Sequence, residues 1–409
     1  MVHFLALCWS VWLNGWNDGT LGPLLPRIQT DYRIGFAIVS LLFIGNCSGY
    51  VTGAALNIWF NERYGLGKVI VGGALFQLVG YVIMIPAPPF PMMILAYVII
   101  GFGISLQSAQ ANGFVGSLDR HMTYKLGVLH ASYGDRHKYL WPFFILFLGL
   151  GAFTSPFAST YFSNFTSSRW AFHFIISAGL AVMNILLLIY VFRFRRQEDL
   201  LAEAGQEPNA ESTMQPSGST YKQIFRLKAM PFLTIFALIY IGVEVTLGGW
   251  IVTFIIRERH GGSNAGYISS GFFGGLTAGR ICLMWLNQMV GERRIIFVYS
   301  LVAISLELTI WFVPSIIGNA VAVSLIGVVL GPMFPLLVSH MTHILPQWLL
   351  TGCVGLVAGI GMAGSAALPF VTGLLASKYG IGSLQPLMVS MMSCMVLVWA
   401  LVPNARRID

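Results

Sequence analysis

Apolar residues run in twelve long stretches along this chain, most of them closed by short polar turns. Their approximate limits are 4–28, 35–60, 67–86, 91–117, 139–162, 169–192, 231–256, 265–290, 295–313, 318–344, 350–377 and 383–403. Each is long enough to cross a hydrocarbon core about 30 Å thick as a helix, and in lipid a helix satisfies its own backbone. The pattern predicts an all-α, polytopic membrane protein with twelve transmembrane helices. One interval breaks the rhythm. Residues 193–230 begin basic and then, from Glu198 to Thr220, become rich in Glu, Ala, Ser, Gln and Pro, a composition with little to bury. A six-helix bundle over 1–192, a cytosolic linker over 193–230 and a second six-helix bundle over 231–409 are therefore expected.

The exceptions inside the apolar stretches occur twice. A shift of 226 positions lays Asp18, Thr20, Leu21 and Gly22 on Glu244, Thr246, Leu247 and Gly248. The same shift lays Gly45, Gly49 and Gly53 on Gly271, Gly275 and Gly279, then Trp59, Asn61, Gly65 and Lys68 on Trp285, Asn287, Gly291 and Arg294. Two related halves are implied, with glycines that let helices approach closely. Later in the first half the shift changes. Gly151, Pro156 and Phe157 match Gly364, Pro369 and Phe370 at an offset of 213, so about fifteen residues too many have entered before Gly151. Asp135 to Gly149 is the expected insertion, either untranslated sequence carried in the reading frame or a genuine cytosolic loop.

Composition agrees with the pattern. Hydrophobic residues make up 56% of the 409 and charged residues 9%, with a mean hydropathy of +0.76, more apolar surface than a water-soluble domain can hide. The net charge of +8 does not point to nucleic acid, because the basic residues stand singly between apolar runs. They read as topology signals. With the N-terminus in the cytosol, sixteen Lys and Arg fall in inner connections and six in outer ones, so both termini are expected inside. A plasma-membrane location and a monomer are the default expectations, and Asn164-Phe165-Thr166 becomes an outer glycosylation sequon. The five cysteines all lie in apolar runs without CxxC or histidine spacing, so neither disulfides nor a metal site is expected. Phe4 to Trp16 lacks a cleavage site and is kept as part of the first span. No nucleophile with a base, phosphate loop or dinucleotide turn is present, which disfavours catalysis, ATP-driven pumping and cofactors.

Four ionisable residues lie deep in spans: Asp18, Glu244, Arg280 and Glu307. A charge there costs on the order of 3 kcal/mol unless paired or wet. Asp18 and Glu244 are repeat mates at equal depth and are expected to bind a coupling proton in a central cavity. Asn14 and Asn17 share a face with Asp18, as Tyr240 does with Glu244, and Gln107 with Gln110 adds amides on the fourth span. These five, with Trp250, are the candidate substrate contacts, and interhelical hydrogen bonding is the competing role for the amides and acids. Arg280 and Glu307 lie at similar depth and are expected to form an intramembrane ion pair.

Asn61-Glu62-Arg63-Tyr64-Gly65-Leu66-Gly67-Lys68, between the second and third spans of a doubled six-span chain, resembles the signature of the major facilitator superfamily. Glu62 stands for its usual Asp, and Leu66 with Gly67 replaces two basic residues. The second copy has Gln288 where the acid belongs, before Gly291, Arg293 and Arg294. Glu244-Val245-Thr246-Leu247-Gly248-Gly249-Trp250 and Gly331-Pro332-Met333-Phe334-Pro335 resemble the fucose-permease-like group, with fungal bypass-of-stop-codon-type members the nearest look. The resemblance implies a transporter working by alternating access, with sugar uptake coupled to protons or sodium and with an acid such as Asp18 as coupling residue. Glu62, Arg63, Lys68, Gln288, Arg293 and Arg294 would form the cytosolic gate. The expected partners are a small-molecule solute, a proton or sodium ion and the bilayer. An exporter of amphipathic small molecules and a non-transporting sensor with the same fold are the alternatives.

Overall fold

The computed structural model describes residues 2–129, 140–165, 167–197, 199–200, 223–224 and 226–404. Among them every regular element is helical: α1 (Val2–Tyr32), α2 (Phe36–Val39), α3 (Leu41–Tyr64), α4 (Leu66–Met84), α5 (Phe90–Leu129), α6 (Leu140–Ser163) and α7 (His173–Phe192), then α8 (Met230–Glu258), α9 (Tyr267–Cys282), α10 (Met284–Val290), α11 (Glu292–Phe312), α12 (Ile316–Leu330), α13 (Met333–Ile344), α14 (Gln347–Tyr379) and α15 (Leu384–Leu401). Short 3-10 turns at Ser167–Phe172 and Ile381–Ser383 lead into α7 and α15. Nine stretches among the described residues have the length and apolarity of a membrane span. The other three predicted spans coincide with α1, diluted by its polar residues, with α6, and with α9 and α10, which break at Leu283. Many large apolar side chains, such as Leu186, Ile317, Phe312 and Leu397, are exposed, as lipid-facing surfaces require.

The helices divide into two compact units. Unit 1 holds Met1–Asp18, Gly45–Ala152 and Phe165–Gln215, and unit 2 holds Gly19–Ile44, Phe153–Asn164 and Pro216–Asp409. In unit 1, α4 packs on α5 and α7 around Leu7, Val11, Leu66, Ile70, Phe114, Leu188 and Phe192. In unit 2, α8 lies against α14 and α15, and α12 sits between α9 and α11.

The doubled glycines make the same contacts twice. A methyl on Gly49 or Gly53 would run into the carbonyls of Val98 and Phe102, and a methyl on Gly275 or Gly279 into those of Ser324 and Val328. All four acceptors obey the 226-residue shift, so α3 on α5 and α9 on α12 are one packing written twice. Gly151 and Gly364, the pair at the shorter shift, press on the carbonyls of Trp12 and Leu238, which are again 226 apart. The excess length therefore enters between Phe102 and Gly151. Of the expected insertion, residues 135–139 lie outside the described residues, and 140–149 belong to α6. Most of the expected linker, residues 198, 201–222 and 225, also lies outside them.

Candidate functional site

In unit 1 the buried amides are tied to one another. Gln107 Oε1 accepts from Ser10 Oγ at 2.9 Å and from Asn184 Nδ2 at 2.8 Å, while its Nε2 donates to Gln77 Oε1 at 2.8 Å and to the Gly103 carbonyl at 3.3 Å. Gln77 in turn donates to the Tyr81 hydroxyl at 3.0 Å, which points at Asn17 Oδ1 at 3.5 Å. Two donors and two acceptors exhaust an amide, and Gln107 is 0% exposed. Its expected substrate contact is replaced by an interhelical tie joining α1, α4, α5 and α7. Gln110 makes a second interhelical tie, donating to Asn57 Oδ1 on α3 at 2.7 Å. Asn14 differs. It donates to Ser108 Oγ at 3.2 Å and keeps an acceptor oxygen without a partner among the described residues. Tyr50 lies beside the same Ser108 and within electrostatic reach of Asp18, which is exposed. Asp18, Tyr50, Ser108 and Asn14 thus form a polar station that opens at Asp18, with Asn14 buried behind it.

In unit 2 the sequence itself creates the counterpart. Pro335 has no N–H to give the Gly331 carbonyl, so the helix breaks between α12 and α13 and leaves acceptors free. Arg280 Nε donates to the Gly331 carbonyl at 3.3 Å and the Tyr240 hydroxyl donates to the Leu330 carbonyl at 3.1 Å. Arg280 also reaches Glu244 Oε1 at 3.9 Å, with the two side chains 14% and 23% exposed. Tyr240 lies against both.

This pairing corrects the expected one. Arg280 is engaged by Glu244, not by Glu307, because α12 separates α9 from α11. Both Glu307 carboxyl oxygens are buried without a hydrogen-bond partner among the described residues. Trp250 is engaged within unit 2. It is 0% exposed, donates to the Pro369 carbonyl at 3.1 Å and packs near Phe36 and Phe43. Tyr240 is 1% exposed and committed to the Leu330 carbonyl.

The two turns expected to gate share one backbone form. Gly65 (φ 77°, ψ 164°) and its repeat mate Gly291 (φ 84°, ψ 148°) occupy a region essentially reserved for glycine. Glu62, Arg63 and Lys68 are exposed, with the Arg63 guanidinium 5.6 Å from the Trp59 ring and 5.8 Å from that of Tyr64. Gln288 and Arg294 are exposed too, whereas Arg293 donates to the Ala400 carbonyl at 3.3 Å at the end of α15. The signature's missing basic pair has a local reason. The Gly67 N–H, an unpaired donor of the first turn of α4, bonds the Arg195 carbonyl at 3.0 Å, and a methyl there would meet that oxygen at 2.7 Å. Arg193 (φ 47°) and Phe194 (φ 57°) turn the chain onto this spot.

The sequence profile described as Major Facilitator Superfamily matches residues 7–349. The chain belongs to the Major Facilitator Superfamily. It is 25% identical over 417 aligned residues to Bypass of stop codon protein 6 of Saccharomyces cerevisiae, covering 95% of this chain and 80% of that one. A shorter match, 28% identical over 108 residues, covers 25% of this chain and 20% of solute carrier family 2, facilitated glucose transporter member 10, of Danio rerio. Among solved structures, the fold is similar to a variant of the nucleoside transporter NupG (TM-score 0.76, 12% identity, 97% of this chain and 98% of that one). It is also similar to a D-xylose-proton symporter (TM-score 0.75, 12% identity, 98% of each chain). At such identity these two show the fold alone. A multi-pass membrane transporter, and not an enzyme, is what family membership gives.

Within this superfamily fold, reading residues singly had missed Tyr50, Ser108, Gln77 and Asn184. Gln77 and Asn184 carry the same signal that singled out Gln107, an amide inside an apolar span. Tyr50 and Ser108 carry none, since tyrosine and serine are common in membrane helices.

Proposed function

We propose that the chain is a secondary active transporter of a small polar solute, a sugar or similar polyol, working by proton-coupled alternating access between two six-helix bundles joined by residues 193–230. The observation that carries this reading is the environment of two repeat-mate acids. Asp18 is exposed beside Tyr50, and Glu244 keeps partial exposure against Arg280. An intramembrane carboxyl that holds access to water can exchange a proton, whereas one used only as packing glue has no need of it. Asn14 and Ser108 next to Asp18 offer the donors and acceptors that bind hydroxyl groups. Fold relatives named as carriers of xylose and of nucleosides, both rich in hydroxyls, support the choice of solute.

In this scheme Glu62, Arg63, Lys68, Gln288, Arg293 and Arg294 form the cytosolic latch of a plasma-membrane protein whose termini are both inside. Reconstituted vesicles with labelled sugars and nucleosides, with and without an imposed pH gradient, provide the test. Uptake of one sugar class that rises with an inward proton gradient is the expected result. Flux of amphipathic drugs alone, or no flux of any kind, would overturn the reading in favour of an exporter or a sensor.

A further inference from the structure

We propose that Glu307 and Gln385 line one occluded, hydrated site between α11 and α15, in which Glu307 holds a proton. The two helices run antiparallel and their register is pinned at one end. Trp399 Nε1 donates to the Arg293 carbonyl at 3.0 Å, and Arg293 donates to the Ala400 carbonyl at 3.3 Å. Glu307 is fourteen residues along α11 from Arg293, and Gln385 is fourteen residues back along α15 from Trp399. At 1.5 Å per residue both lie about 21 Å from the pinned end, hence at one level.

Each residue is on the buried face of its helix and 0% exposed. All four of their side-chain oxygen and nitrogen atoms lack a hydrogen-bond partner among the described residues. Glu307 is the one acid among the described residues with both carboxyl oxygens buried and unpartnered.

The charges around Glu307 are few. The described residues of α12 and α10 contain no ionisable side chain, and α15 contributes only Cys394. On α13, His340 faces the Pro403 carbonyl and His343 faces Glu292, toward the pinned end. Tyr299 on α11 donates to Asn287. Beyond Glu307, the end of α11 is met by Arg259, which follows α8 and donates to the Ile310 and Trp311 carbonyls at 2.9 Å each. A carboxyl so placed has neither a cation nor exposed surface to steady a charge, so its surroundings suit the neutral acid. A neutral carboxyl brings one donor and spare acceptor capacity, and an amide brings both, so a shared water of two to four hydrogen bonds suits the pair.

The test reads the carboxyl directly and needs no transport, so it stands or falls apart from the proposed function. Infrared spectra of the reconstituted full chain at neutral pH should contain a protonated-carboxyl band that disappears in Glu307→Gln. The band should shift in Gln385→Leu, which keeps the acid but removes its neighbour. Sodium titration should leave it unchanged. If Glu307→Gln fails to fold, the shift in Gln385→Leu and the sodium titration still decide. No such band, a band indifferent to both variants, or its loss on adding sodium would overturn the proposal.

Discussion

Gly22 and Gly248, repeat mates 226 residues apart, touch each other: a methyl on Gly22 would overlap the Gly248 carbonyl. The contact lies within unit 2, one helical turn beyond Asp18 on α1 and beyond Glu244 on α8. It falls on the side that the charge bias assigns to the exterior, and the ends of α2 and α6 pack on the same side. There the Ala37 N–H donates to Ser377 Oγ at 2.9 Å, and Thr160 fills the space beside Gly266. Gly22→Val should hold this side apart. Overpacking of about 1–3 kcal/mol lowers the packed population roughly 5- to 150-fold. Uptake should fall by that order while expression stays normal. A cysteine placed near Asp18 should react faster with a membrane-impermeant thiol reagent added outside. Unchanged uptake would mean that the close approach is not used in the cycle.

Arg280 serves two acceptors, the Glu244 carboxylate and the Gly331 carbonyl exposed by Pro335. Neutralising the acid as Glu244→Gln removes one of them without emptying the site. Proton-driven accumulation should then be lost while solute exchange across the membrane persists. Arg280→Met strands both acceptors and should lower thermal stability by about 1–3 kcal/mol, partly restored in the double variant with Glu244→Gln. Additive effects in that cycle, measured by thermal unfolding in detergent, would show the pair to be independent.

How far these features were legible beforehand follows from their physical origin. The all-helical, apolar character of the chain and its doubled glycine packing depend on short periodic patterns, and Gly49 on Val98 with Gly275 on Ser324 repeats them faithfully. The partner of Arg280 depended on which helix stands between two others, and depth along a span says nothing of that. Its second acceptor was encoded locally, because Pro335 frees the Gly331 carbonyl and a half-buried arginine seeks such a group. Gln107 was found as chemistry but its role was not, since an amide that binds hydroxyl groups and one that binds other amides look alike until Gln77 and Asn184 are beside it.

Gln107→Ala offers the cleanest separation of those two roles. It would leave Ser10, Gln77 and Asn184 short of a partner in the interior of unit 1. Hydrogen bonds between membrane helices contribute about 0.6 kcal/mol on average and up to about 1.7, so losing three should cost roughly 2–3 kcal/mol. Thermal stability should drop accordingly, with KM for the transported solute within about twofold of the parent. Asn14→Ala should do the reverse, raising KM with little loss of stability. A large KM increase in Gln107→Ala with unchanged unfolding would restore the substrate contact.

Position 67 sets family resemblance against packing. Restoring a basic residue there, as Gly67→Arg, would bring the turn closer to the superfamily signature, and a reader of sequences alone would expect an improved gate. The structure argues otherwise, because the Arg195 backbone occupies the space a side chain needs and accepts the Gly67 N–H. Arg195 and Arg196 already bring cations to the turn from the end of α7, with Arg196 lying against Gly65. The added side chain must displace the Arg193–Arg196 segment, losing a hydrogen bond and local packing worth about 1–3 kcal/mol. Gly67→Arg should therefore unfold at lower temperature and be cut faster by trypsin between residues 193 and 230. Gly67→Ala, whose single methyl meets the same carbonyl, should show both effects in smaller measure. Equal stability of all three chains would mean that the segment can leave the turn at no cost, and that the signature's cations were lost for some other reason.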